Sequence, residues 1–578
     1  MERTPTRESP NGTWAINGRA TTFLSRGFEV LQHRAASSEE PVHFDVVIVG
    51  SGYGASAAAH QFSRHLHHRN GERVTVCVLE RGKERLPGSF PTGFSELPGE
   101  LRFSLPGAEP AGTMHGLFDV RLDTTASAVV ANGLGGGSLI NAGVMLKPRP
   151  EVLDGWPSTL GGAAELDPYF EKAQIELGVL TGKHPNTVVS TNRVQVDKYR
   201  VLEKLGASLE QPEKGLTTAV PITVTLKKEP GAPVETDVCI DCGDCAQGCN
   251  HNAKKSLDTN LLAKAALNGA EIFTEATVQR FDKTNGGWEV YVANTDATRS
   301  KRARQPVRIQ CTRLIVAAGT YASNELMFRS QAESKNQLYF SDRLGFNYSG
   351  NGDNIAALTN CPDRNNMAAD ESIAPDKRRV GPTITGMIDL RQNINTPIAL
   401  QELSIPAALK GLLTEVVGFV RMVHALNDQK SANQPFSDEL CYVHDHTLSR
   451  TAIVIMMGDD GATGRLLYDH KSNSVSLQWP ETHSTARNKL YQTQIDTLRN
   501  LAEKLGKNVV VHENPARNPL GDALQKTSGA TYDAACTLAR ALGVTLREMS
   551  ISELSEQVFE TIGHDSSVED LTFENVQA

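Results

Sequence analysis

No run of apolar residues in this chain reaches the ~18–20 needed to cross a bilayer, so no stretch of it reads as a transmembrane segment. Neither sign of charge dominates. The 58 Lys and Arg are interspersed with 67 Asp and Glu, and the net charge of −9 offers no basic face to a nucleic acid or an anionic membrane. The first 40 residues have no apolar core of the secretory kind and carry scattered Arg and Glu, so a cytoplasmic protein is expected. Internal repeats and low-complexity tracts are also missing. Nine cysteines in 578 residues do not make a disulfide framework. Cys77, Cys311, Cys361, Cys441 and Cys536 stand apart and read as buried or inert thiols. The other four fall within eleven residues.

What is present begins with Phe44-Asp45-Val46-Val47-Ile48-Val49-Gly50-Ser51-Gly52-Tyr53-Gly54-Ala55-Ser56. An apolar strand runs straight into a G-x-G-x-x-A turn, and small residues then open a helix. Gly50 permits the tight turn, Gly52 lets backbone approach a pyrophosphate, and Ala55 keeps helix and strand close. The helix N-terminus adds N–H donors and a positive dipole end. A second strand, Val74 to Leu79, ends in Glu80, where an acid can hold a ribose hydroxyl. Strand, turn, helix, strand and acid together predict a Rossmann-like nucleotide-binding unit.

Further on, Gly and Pro punctuate residues 83–125, which read as a long surface excursion. Three consecutive glycines in Asn132-Gly133-Leu134-Gly135-Gly136-Gly137-Ser138-Leu139-Ile140-Asn141 are no comfortable helix interior. Their apolar flanks argue against a flexible linker and for backbone pressed against a flat ligand. Helices are expected over 22–33, 164–178 and 257–267. Strands are expected over 218–226 and 271–274, with a β-meander over 288–292 and 307–309. A buried strand, 314–319, precedes a helix from Ala322, and residues 341–525 are β-rich, with strands at 452–457 and 475–479.

In order and spacing, these stretches resemble the glucose–methanol–choline (GMC) oxidoreductase family, in particular its cholesterol-oxidase-like branch. The resemblance rests on the two glycine motifs, on Ala317-Ala318-Gly319-Thr320, on Tyr348-Ser349-Gly350-Asn351-Gly352-Asp353 and on Val380-Gly381-Pro382-Thr383-Ile384-Thr385. It implies an α/β (α+β) fold: an FAD-binding Rossmann-like domain beside a β-sheet-rich substrate domain. The division expected is an N-terminal extension (1–40), a first flavin-domain part (41–160), an insertion with the cysteines (161–254), a return segment (255–340), a substrate domain (341–525) and a helical, acidic tail (526–578). The resemblance also implies FAD contacts at Gly50, Gly52, Tyr53, Gly54, Ala55 and Glu80. Gly135, Gly136, Gly137, Ser138, Asn141, Ala142 and Val144 would lie along the isoalloxazine, and Val278 would meet the adenine. The implied reaction is oxidation of a small-molecule alcohol, secondary or sterol-like, by hydride transfer to flavin N5, with O2 or an electron-transfer partner as acceptor. An NAD-dependent dehydrogenase is disfavoured by the triple-glycine loop and the long insertion.

Two departures bear on catalysis. The family's His-Pro-Leu-Gly-Gly motif is represented here only by Asn518-Pro519-Leu520-Gly521-Asp522, without the histidine, and the active-site glutamate of sterol oxidases falls near Leu448 or Ser449. A positioned base is worth roughly 10²–10⁴-fold in rate, and histidine suits the task by pKa. His444 and His446 are the candidates, with His512 a further one. A truncated, frameshifted or diverged member is expected, and the competing reading is a non-catalytic flavoprotein or interaction module.

The clustered cysteines, Cys239, Cys242, Cys245 and Cys249, have the C-x₂-C-x₂-C-x₃-C spacing of bacterial ferredoxins, which predicts a [4Fe–4S] cluster. Asn250 stands where proline usually follows, and further ligands are missing. A four-thiolate zinc site and four metal-free thiols remain open alongside it.

Overall fold

The computed structural model describes residues 13–513 apart from the following positions: 17–18, 66–67, 69, 105–109, 122–126, 154–155, 157–158, 160, 182–183, 194–195, 210–215, 229–233, 297–305, 364, 366, 370–379, 393–396, 411–449, 472–473 and 480–483. Two large sheets organise the chain, in keeping with an α/β fold. The first has seven strands in the order Ala276–Thr284, Gly287–Asn294, Val307–Val316, Val42–Val49, Val76–Leu79, Glu271–Thr274, Arg26–Gly27. Its middle is parallel, with Val47 in register with both Leu314 and Cys77. The run Val46-Val47-Ile48-Val49 is buried on both faces, as a central parallel strand must be. Val46 and Ile48 point into a core with Ala55, Ala59 and Leu262, which brings the helices Tyr53–His65 and Leu261–Leu267 onto one face. Val47 and Val49 point the other way, into a core with Phe28, Phe273 and Leu326. The expected rejoining strand at 271–274 pairs in parallel with Val76–Leu79, and the meander forms as expected.

The N-terminal helix occupies Phe28–Ala36 rather than 22–33, and Phe28 and Leu31 are fully buried beneath the sheet. The expected strand over 218–226 is confined to Thr217–Ala219, with isolated bridges at Ile222 and Val224. Leu314 to Val316 are only half-buried.

The second sheet is antiparallel, in the order Thr217–Ala219, Gly386–Leu390, Ile398–Leu403, Ala452–Gly458, Asn354–Thr359, Val510–Glu513. Ile388, Leu400, Val454 and Met456 on one face meet Leu202 and Leu205 of the Asp197–Ala207 helix and Leu490, Leu498 and Leu501 of the Ser484–Leu505 helix. The described residues within 101–131 are more regular than their sequence suggests. They form a small sheet in the order Ala111–Gly112, Leu101–Ser104, Phe118–Arg121, Ala128–Ala131, which leans over the C-terminal edge of the parallel strands. No described helix is long and apolar enough to cross a membrane.

Candidate cofactor and active site

The ends of the parallel strands open into a cavity of about 460 Å³. Among the segments that wall it are the first glycine turn with Gly50, Ser51 and Gly52, the strand end with Glu80 and Arg81, Gly136 and Gly137 of the second glycine loop, and Ala276 to Gln279, with Val278 among them. Crevices at the carboxyl ends of such strands are where α/β sheets take their ligands.

The geometry explains why these positions are glycine. Gly50 has φ +97°, and a β-carbon there would lie 2.4 Å from the carbonyl oxygen of Ala317. Gly136 has φ +52°, and its β-carbon would stand 2.9 Å from the Cα of Gly52. The two motifs, more than eighty residues apart in sequence, thus touch backbone to backbone. A 3₁₀ turn at Gly136–Leu139 follows, closed by Ser138 Oγ donating to Gly135 O at 2.7 Å.

Glu80 is buried at the joint of these loops. Its Oε2 accepts from Ser51 Oγ at 2.5 Å and its Oε1 from the Gly82 N–H at 2.8 Å. Burial pushes its carboxyl above the ordinary range. Ser51 Oγ in turn accepts the Gly135 N–H at 3.0 Å, linking the first turn to the second. Asn141 Nδ2 donates to the Tyr53 hydroxyl at 2.8 Å, and burial pushes that phenol up to about 12.

The remaining residues singled out from sequence lie around the cavity rather than on its wall. Ala55 is fully buried between helix and strand. Ala142 and Val144 pack with Val220, Ile222 and Cys245. His512 hydrogen-bonds Thr359 Oγ1 at 2.9 Å on an edge strand of the antiparallel sheet, away from the cavity. His444, His446, Leu448, Ser449 and the segment 518–522 lie outside the described residues.

Sequence reasoning missed two features. Arg102, Ser104 and Arg121, from the segment read as a surface excursion, line the cavity, and Asp119 is fully buried behind them. The only local signal was Arg81, directly after Glu80. The second is Lys254, 3% exposed, whose Nζ donates to the carbonyls of Leu139 (2.9 Å), Asn141 (2.6 Å) and Cys245 (2.9 Å). It ties the second glycine loop to the cysteine loop.

Cys239, Cys242, Cys245 and Cys249 line one small cavity of about 10 Å³, and none of them is in a disulfide. That volume suits about one water molecule. Among the described residues, no three His, Cys, Asp or Glu side chains are placed to hold a metal ion. The residues as arranged do not fit the [4Fe–4S] cluster expected from their spacing, nor a four-thiolate zinc.

Comparison with known proteins bears on the large cavity. A model of the GMC oxidoreductase family matches residues 44–350, which takes in both glycine motifs, Glu80 and Val278. This chain belongs to the GMC oxidoreductase family. Its similarity to a cholesterol oxidase of Mycobacterium tuberculosis is 28% identity over 301 residues, covering 50% of this chain and 48% of the relative. With a cholesterol oxidase of Acinetobacter baumannii it shares 24% over 331 residues, 54% and 55% of the two chains. The chain spans about half the length of these curated relatives. A solved formate oxidase of Aspergillus oryzae aligns at 12% identity with a TM-score of 0.48, over 84% of this chain and 85% of the other.

Family membership implies an oxidoreductase that uses FAD. The large cavity fits that group. Its glycines leave open space where side chains would stand, with no atom within 4 Å of a β-carbon built on Gly52 or Gly137. A buried carboxylate and a helix N-terminus flank them.

Proposed function

We propose that this GMC oxidoreductase oxidises a small-molecule alcohol, secondary or sterol-like, with FAD held in the 460 Å³ cavity. The observation that carries the reading is that Gly52, Glu80, Gly136 and Val278, from four segments of the chain, line one cavity. When bound, FAD supplies the hydride acceptor at N5. The chain's part is to bind and orient. Ser51 to Tyr53 would present backbone N–H groups to the pyrophosphate, Glu80 would accept from the adenosine ribose, and Gly136 and Gly137 would give the isoalloxazine a bed free of side chains. His444 or His446 takes the hydroxyl proton. The two cholesterol oxidase relatives support a sterol-like alcohol with O2 as acceptor.

One observation favours a second reading, a flavoprotein without turnover: the sequence has Asn518 where the family's motif carries histidine. Anaerobic addition of candidate alcohols, cholesterol among them, to the yellow protein separates the two. Bleaching of the flavin band supports oxidation. A spectrum unchanged by every primary, secondary and sterol alcohol sinks it and leaves binding as the function.

A further inference from the structure

Part of the wall of the large cavity carries more positive charge than the protein itself neutralises. Asp119 is fully buried and receives three arginines: Arg102 Nη1 at 2.7 Å, Arg81 Nη2 at 3.0 Å and Arg121 Nη2 at 3.3 Å. Arg121 Nη1 also reaches Glu325 Oε2 at 3.3 Å, and Glu325 Oε1 accepts from Arg329 Nη2 at 2.5 Å. All four arginines line the cavity. Four guanidinium groups therefore share two carboxylates.

The other acids nearby do not make up the difference. Glu80 lines the same cavity, and counting it in full still leaves four guanidinium groups against three carboxylates. Glu275 and Asp296 stand 3.6 and 3.8 Å from His115 and do not line the cavity. Burying guanidinium groups without matching carboxylates is costly unless an anion completes the site.

The cradle is built rather than incidental. Ser104 Oγ donates to Asp119 Oδ1 at 2.8 Å, and Asn132 Oδ1 accepts Arg81 Nε at 2.9 Å while its Nδ2 is spent on the carbonyls of Met114 and Gly116. These bonds fix the direction of Arg81 and the register of the small sheet. Arg121, 9% exposed, keeps an Nε with no hydrogen-bond partner in the structure.

We propose that Arg81, Arg102 and Arg121, oriented by Asp119, form an anion cradle for the adenosine diphosphate half of the dinucleotide. The proposal rests on the FAD reading above. Forked, permanently charged donors suit phosphate oxygens. The cradle shares one cavity with the Gly50–Gly52 turn and with Glu80, so a nucleoside diphosphate has its ribose acceptor and its phosphate donors in one place. Asp119 is a positioning residue, since it holds the arginines and does not itself line the cavity.

The test measures dissociation constants of full-length protein for FAD, ADP and riboflavin at 50 and 500 mM KCl, for wild type, Arg121→Gln, Arg102→Gln and Arg121→Lys. The expected result is that each Gln variant weakens FAD and ADP about tenfold and flattens their salt dependence, while riboflavin binding stays unchanged. Arg121→Lys should keep most of the salt dependence. Variants that melt at lower temperature yet bind ADP with unaltered affinity and salt slope would show a purely structural cluster and overturn the proposal. Wild-type protein that binds ADP but neither FAD nor riboflavin would support the cradle and refute the flavin reading; protein that binds none of the three refutes both.

Discussion

Lys254 places its ammonium 2.6 Å from the carbonyl oxygen of Asn141. With the carbonyls of Leu139 and Cys245 it satisfies three backbone acceptors that have little access to water, and it spans the second glycine loop and the cysteine loop. Replacing it by Met leaves those carbonyls without the cation. Lys254→Met should therefore cost on the order of 2–4 kcal/mol, read as a lowered urea midpoint, and should release flavin more readily. A variant as stable as wild type would show that the clamp contributes nothing.

Gly136 and Gly137 of the second loop make opposite predictions. Ala at position 136 brings a methyl to 2.9 Å from Gly52 Cα at a left-handed φ, so Gly136→Ala should destabilise the fold by about 1–3 kcal/mol. Gly137 has no neighbour within 4 Å of its would-be β-carbon and lines the cavity. Gly137→Ala should keep the melting temperature and lose flavin, seen as a fall in the visible absorbance per chain. Equal behaviour of the two variants would contradict the placement of the loop.

Much of this site was legible in the sequence. Gly50, Gly52 and Glu80 follow from local stereochemistry, because only a strand that ends in a tight turn needs those residue types in that order. The triple glycine was legible as backbone pressed on something flat, although its contact with Gly52 is a tertiary fact that no local pattern contains. The Asp119 cluster was not legible. Its two strands are only four residues long with Gly and Pro between them, and charged residues alternate with apolar ones in a sheet whose buried side is polar. The ferredoxin-like spacing of the cysteines was legible, whereas the small volume of the cavity that the four thiols line is a product of packing that no spacing contains.

Glu84 predicts a pH dependence. Its carboxylate accepts from the Leu24 and Ser25 N–H groups at 2.8 Å each, yet burial outweighs these bonds and raises its pKa to about 7 from an ordinary 4.5. The folded state then binds more protons than the unfolded state between those values, so this group's contribution to stability falls as pH rises from about 4.5 to about 7. Up to roughly 3 kcal/mol should be lost across that window and regained on acidification. Urea midpoints at pH 5 and pH 8 for wild type and Glu84→Gln check it: the variant should lack this downward step. A step of the same size in the variant would assign the loss to other groups.

The cysteine loop predicts a negative result with a clear signature. Iron analysis of protein purified without oxygen should give far less than one iron per chain, and Cys242→Ser should leave the visible spectrum unchanged. A broad brown absorbance with about four irons per chain, lost in Cys242→Ser, would show that the loop opens to take a cluster.

The central claim is that the cavity between the two glycine loops holds FAD. The direct measurement is release of the bound chromophore from full-length protein by denaturation, followed by separation and quantification against protein concentration. The account predicts FAD, close to one per chain and without FMN. Colourless protein that takes up no FAD on incubation, or protein carrying a different chromophore, would contradict it.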